Sequence, residues 1–365
     1  MKITHIQTQI VRLPAEEPLA DGPAAANVTW DFVTLRMGTD AGIEGIGVTF
    51  FGAALTGVLR SAVDALGALA IGEDPLRIEA LTGKLRAAAA SSGPGGILTL
   101  ALAAIDIALW DIKGKALNLS VAKLAGGHRE RVPTYASGAL MRQFSLETVL
   151  KSAPRLVERG FRQMKMQLAL PGNTSATREV ERVRLIRESI GEHIDLMCDI
   201  NQLWDVRQAI GIGRQIEQFH LFWLEDVVAH DDYAGLARVT AALDTPVAGG
   251  EYVYGAVPFR HMLEARSVDI VMIDVLRAGG ITPWLKIAAM AEAFNLPVVS
   301  HLLPEIHVHL IAAIPNGLTV EYMPWSLRLF EEVPAPHDGA LTVPERPGLG
   351  LAFDADVLRR YGVSG

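Results

Sequence analysis

Residues 161–168 read FRQMKMQL. In an extended chain side chains alternate between two faces, so Gln163, Lys165 and Gln167 share one side while Met164, Met166 and Leu168 share the other. Alone, the octapeptide reads as an edge strand with a polar face toward water, but its surroundings change that reading. VPTYASG (132–138) precedes it. IDLMCDI (194–200), LFWLED (221–226), TPVAGGE (245–251), VDIVMID (268–274), LPVVSH (296–301) and GLTVEY (317–322) follow, so that a short apolar run returns every 20–35 residues. Each run but the last is followed by a segment of helical length and pattern. Eight such units in residues 130–329 predict an α/β fold, a closed (β/α)₈ TIM barrel rather than an open two-sided sheet.

Outside the barrel the pattern differs. Residues 1–129 read as an α+β capping domain, with strands at 3–13 and 32–50, a hairpin turn at TDAG (39–42), and helices near 55–70, 75–90 and 97–117. PAEEPLADGPAAANVTW (14–30) has no periodicity and is expected to be a mobile lid. Residues 330–365 add no further unit and are expected to return to the capping domain.

Composition narrows the function. A net charge of −8 and a pI near 5.7 argue against nucleic acid or an acidic membrane as partner, leaving a small molecule. The single cysteine, Cys198, excludes a disulfide framework. The first residues lack an apolar signal core, and ILTLALAAIDIALW from Ile97 is too short to span a bilayer, so a cytoplasmic protein is expected.

In a barrel of this kind chemistry collects at the carboxyl ends of the strands. Lys165, Asp199, Glu225, Glu251, Asp274, His301 and Glu321 stand at or near those ends in seven consecutive candidate strands. Singly, a strand-end Asp commonly caps the next helix and a lone His is often a satisfied core group. Seven at matching positions argue for a site. Asp199, Glu225 and Glu251 would repel one another without a cation, and three hard oxygen ligands with no Cys or His cluster suit Mg²⁺ better than zinc. Asp274 and His301 come from neighbouring strands, and a carboxylate beside an imidazole makes a dependable general base. Glu321, if protonated, could donate a hydrogen bond to developing negative charge.

These residues lie in GFRQMKMQ, CDINQ, WLED, AGGEY, VMIDVLRAGGIT, VVSHLLPEIHVHL and VEYMP. Together they resemble the enolase superfamily, and within it the mandelate racemase/muconate lactonizing enzyme subgroup, over essentially the whole chain. The resemblance implies Mg²⁺ on Asp199, Glu225 and Glu251, a His301–Asp274 base, Glu321 facing the substrate, and removal of a proton α to a carboxylate to give an enediolate. It also suggests a homo-oligomer. Where the racemase has Lys-x-Lys, this chain has Lys165 and Gln167. Lys165 is thereby expected to contact the substrate carboxylate, whereas Gln167 cannot accept a proton at ordinary pH.

One base disfavours two-base racemisation. It suffices for syn dehydration of an acid sugar or related hydroxy acid to a 2-keto acid, the reaction the resemblance favours, with His301 both taking the α-proton and returning one to the departing hydroxyl. An isomerase is the alternative: a cycloisomerase, or an epimerase in which Lys165 serves as an unexpected second base. A catalytically silent binding relative is a third reading, weakened by the intact ligand set and dyad. Gln167, Asn201 and Gln202 could bind a polyol chain, and Trp204, Tyr322 and Trp325 could shape the pocket. Residues 14–30 contain Glu16, Glu17 and Asp21 without Lys or Arg, and GVTFFGAALTG from Gly47 is largely apolar, so the lid offers no cation to a second substrate carboxylate, which argues against diacid sugars and for a monocarboxylic one.

Overall fold

The computed structural model describes residues 1–20, 28–172 and 175–363. Its first sheet is antiparallel: β1 (Ile3–Pro14), β2 (Thr29–Thr39) and β3 (Glu44–Thr49), with the TDAG turn closing the β2–β3 hairpin. Three helices follow, α1 (Thr56–Ala68), α2 (Ile78–Ala88) and α3 (Ile97–Leu117). The lid expectation falls partly on residues 21–27, outside the described residues.

The barrel strands are β4 (Arg131–Leu140), β5 (Gln163–Gln167), β6 (Asp195–Asp199), β7 (Trp223–Glu225), β8 (Val247–Gly249), β9 (Ile270–Asp274), β10 (Val298–His301) and β11 (Gly317–Tyr322). Each pairs in parallel with the next, and β11 pairs with β4 to close the cylinder. Alternation then sorts the side chains. Met164 and Met166 point outward into the layer of surrounding helices, while Tyr135, Met197, Trp223, Met272 and Val299 fill the lumen. The barrel is therefore a packed core with one polar end, not a pore.

α3 joins the two parts. It is buried nearly all round, which explains its lack of an amphipathic pattern. β3 lies so close to it that a Cβ on Gly47 would come within 2.0 Å of the Ala104 carbonyl oxygen. Its two buried carboxylates serve backbone donors on separate elements. Asp111 accepts from Ile46 and Leu349 and pairs with Lys115, and Asp106 accepts from Thr282 beside the barrel. The tail contributes β12 (Ala340–Thr342), antiparallel to β4, and β13 (Gly362–Val363), antiparallel to β1. No helix among the described residues is long and apolar enough to cross a membrane.

Candidate active site

Register places the polar strand ends side by side. Gln167 pairs with Asp199, Asp199 with Glu225, and Asp274 with His301. Lys165, one layer below Gln167, is buried in the barrel mouth, 2.5 Å from Glu225 and 2.8 Å from Glu321. Burial alone would push its ammonium down, but Glu225 and Glu321 hold it well above its ordinary value. That clamp makes it a fixed positive charge and a poor base.

Asp274 does two jobs. Its Oδ1 accepts the backbone N–H groups of Leu276 and Arg277, capping the short helix that follows β9. Its Oδ2 lies 2.7 Å from His301 Nδ1. A carboxylate only accepts, so Nδ1 carries the proton and the Nε2 lone pair is free on the cavity side, 3.4 Å from Glu251. Burial lowers the His301 pKa, but Glu251 and Asp274 more than offset it, so the net shift is upward. Glu321 departs from expectation. Burial raises its carboxyl, yet Lys165 and His301 pull it below the usual range, and its Oε2 accepts the Leu302 N–H. It stands as a carboxylate, not as a protonated donor.

The carboxylates gather as a metal site requires, with one member that the sequence reading missed. Oxygens of Glu225, Asp226 and Glu251 lie within 4.8 Å of one another, and Asp199 adjoins them through the β6–β7 pairing. Asp226 enters because its backbone turns left-handed (φ 44°) just past β7. Its Oδ2 is buried without a hydrogen bond. Burial raises the Asp199, Glu225 and Asp226 carboxyls, and repulsion from Glu251 adds to it in each. Such a cluster, with an orphaned oxygen and carboxyls that stay raised despite Lys165 and Arg142 nearby, fits a divalent cation with oxygen ligands.

Gln167 and Asn201 bind each other at 3.0 Å and line the cavity. Arg142, also missed, donates to Asn201 at 2.6 Å and to the Asp199 carbonyl. Gln202 does not join them; its carbonyl oxygen is taken by His230. Trp325 lines the cavity, whereas Trp204 packs in the outer apolar layer. The described part of the lid is fastened to the barrel, with Glu17 accepting from Trp325 and Glu16 paired with Arg328. Phe51, from the apolar loop after β3, stacks over His301 with ring centroids 6.1 Å apart. Arg277 lines the same cavity, its guanidinium 4.0 Å from the Phe51 ring centroid. The lid brings no cation, but the barrel does.

Two family profiles match consecutive parts of the chain. The N-terminal domain of mandelate racemase / muconate lactonizing enzyme matches residues 8–126, and the enolase C-terminal domain-like profile matches residues 148–357. The chain belongs to the mandelate racemase/muconate lactonizing enzyme family. Members similar to it include the L-talarate/galactarate dehydratase of Salmonella typhimurium, 32% identical over 98% of this chain and 90% of that one. The 3,6-anhydro-alpha-L-galactonate cycloisomerase of Streptomyces coelicolor is also 32% identical, over 99% of both chains. Among solved structures, L-talarate dehydratase from Polaromonas sp. JS666, complexed with Mg and L-glucarate, superposes with a TM-score of 0.92 at 33% identity, covering 100% of this chain and 98% of that one.

Proposed function

We propose that this family member is a Mg²⁺-dependent lyase that dehydrates an acid sugar to a 2-keto acid, with His301 as its base. One observation carries the reading: a single imidazole, oriented by Asp274, faces a carboxylate cluster across a cavity whose other side holds Gln167 in place of a second base. Asp199, Glu225 and Glu251 would hold the metal, with Asp226 beside them. Bound there, Mg²⁺ supplies concentrated positive charge where the substrate carboxylate gains electron density.

The remaining steps belong to the chain. Lys165 binds the substrate carboxylate and offsets the charge of the enediolate. His301 Nε2 takes the α-proton, and the C–H electron pair moves into the bond between the carboxylate carbon and the α-carbon. The bond from the β-carbon to its hydroxyl then breaks, the imidazolium returns a proton to the departing oxygen as water, and the resulting enol ketonises. Asp274 stabilises the imidazolium between the two transfers. Gln167 and Asn201 hydrogen-bond substrate hydroxyls.

The test is a screen of acid sugars in D₂O with Mg²⁺, following 2-keto product and α-deuterium by NMR. Keto product from substrates of one C2 configuration is expected. The likeness to a cycloisomerase supports a second reading, in which a ring opens or closes beside the enediolate. Isomer or deuterated substrate without keto product would replace the first reading with it, and neither product nor exchange from any substrate would reject both. The protein is further proposed to act in the cytoplasm as a homo-oligomer, checked by sedimentation against the 39.3 kDa monomer.

A further inference from the structure

The cavity has two cations at two depths. Lys165 lies in the barrel mouth between Glu225 and Glu321. Arg277 comes from the short helix after β9 and lies beneath Phe51, a residue of the capping portion. Among the described residues lining the cavity these are the only Lys or Arg side chains, and His301 lines it with them.

Arg277 is held in place on several sides. One NH group donates to the Glu251 carbonyl at 2.8 Å. The rings of Phe51 and Tyr252 pack against the guanidinium, with centroids 4.0 and 4.9 Å from its central carbon. Phe51 reaches that position with φ 70°, a left-handed backbone that a bulky residue adopts only under constraint. Aromatic contacts engage the face of a guanidinium and leave its N–H edges; one meets the Glu251 carbonyl and another the Tyr254 side chain, both uncharged partners, and the remaining N–H groups suit a carboxylate. Asp274 and Glu251 lie near enough to favour its charge. Asp274 already serves His301 and two backbone amides, however, and Glu251 belongs to the metal cluster. Neither is a dedicated partner for Arg277.

We propose that Arg277 recognises a second carboxylate at the far end of the substrate, so that the preferred acid sugars are dicarboxylates. The inference rests on the acid-sugar reading above and names the class within it. One carboxylate meets Lys165 and the cation that the acidic cluster would hold, and the other meets Arg277 under Phe51. The carbon that loses its proton then lies along the chain between them, beside His301.

Matched pairs that differ only at C6 test this: D-glucarate against D-gluconate, and galactarate against D-galactonate. Binding to the Mg²⁺-loaded protein is measured by titration calorimetry for the parent, Arg277→Met and Arg277→Lys. The parent is expected to bind one diacid at least ~10-fold more tightly than its monoacid, a difference of about 1.4 kcal/mol. Arg277→Met should erase that preference and cost the monoacid far less than the diacid, because its apolar stem still packs against Phe51 and Tyr252 while the charge that the C6 carboxylate would see is gone. Arg277→Lys should retain part of it, and it serves as the test if the Met variant does not fold.

A parent that favours the monoacid, or a variant that keeps the diacid preference, overturns the proposal. So does an equal loss for both acids, which would mark Arg277 as a structural prop for Phe51. Deuterium exchange run beside the calorimetry separates the two readings. Exchange with monoacids alone sinks the dicarboxylate inference and leaves the enediolate chemistry standing. Diacid binding that depends on Arg277 without any exchange does the reverse.

Discussion

At the scale of single residues, the test of the dyad is Asp274→Asn. Asparagine can still cap the backbone through its oxygen, but its amide then points N–H groups at His301 Nδ1. Nδ1 would have to give up its proton and Nε2 would keep one, so the base would face the substrate already protonated. The kcat for keto-acid formation should fall roughly 10³- to 10⁴-fold, with thermal unfolding little changed. A drop below 10-fold would mean that His301 is not the base. Lys165→Met should act differently. It strands Glu225 and Glu321 as buried carboxylates without their cation, so the metal-free protein should lose about 3–5 kcal/mol in urea denaturation. Mg²⁺ should restore more stability to this variant than to the parent, and equal restoration in both would count against a metal at Glu225. The main site residues were legible because a period of two and a strand end fix where a side chain points. Asp226 and Arg277 were not, although both lie inside motifs singled out from the sequence. Asp226 depends on a left-handed turn, and Arg277 on a phenylalanine from the other part of the chain.

At the scale of elements, the clearest interface is β3 against α3. Gly47→Ala would drive a methyl group to about 2.0 Å from the Ala104 carbonyl oxygen, backbone against backbone. Neither can rotate away, so a loss of at least about 1–3 kcal/mol is expected in chemical denaturation. A neutral result would show that β3 does not lie where it is described. The barrel strands and the first three helices were readable within a few residues, the strands as short apolar runs between turn signals, α1 and α2 by their period, and α3 by the length of its apolar run. The tail was harder. β12 and β13 have three and two residues, too few to show any period, and they exist only because β4 and β1 offer them an edge.

At the scale of the whole molecule, two buried groups outside the acidic cluster couple the fold to pH in opposite senses. His309 accepts the Ala122 N–H at Nδ1 and donates from Nε2 to the Leu349 carbonyl, tying a barrel helix to both the first domain and the tail. That arrangement needs the neutral ring, and burial lowers its pKa to about 4. Between about pH 4 and 6.5 the unfolded chain therefore binds a proton that the native protein does not, so this group makes stability rise with pH across that window. Glu305 does the opposite. It is fully buried beside Ser326 with no hydrogen bond of normal geometry on either oxygen, and burial raises it to about 7. From about pH 4.5 to 7 the native protein holds a proton that the unfolded chain has lost, so this group makes stability fall as pH rises. The two contributions largely cancel in the parent and should separate in variants. Changing pH from 5 to 7.5 in urea denaturation, His309→Gln should shift the stability difference downward, and Glu305→Gln should shift it upward, each by about 2 kcal/mol relative to the parent. Shifts of the same sign in both variants would mean that one of these groups is charged in the folded protein.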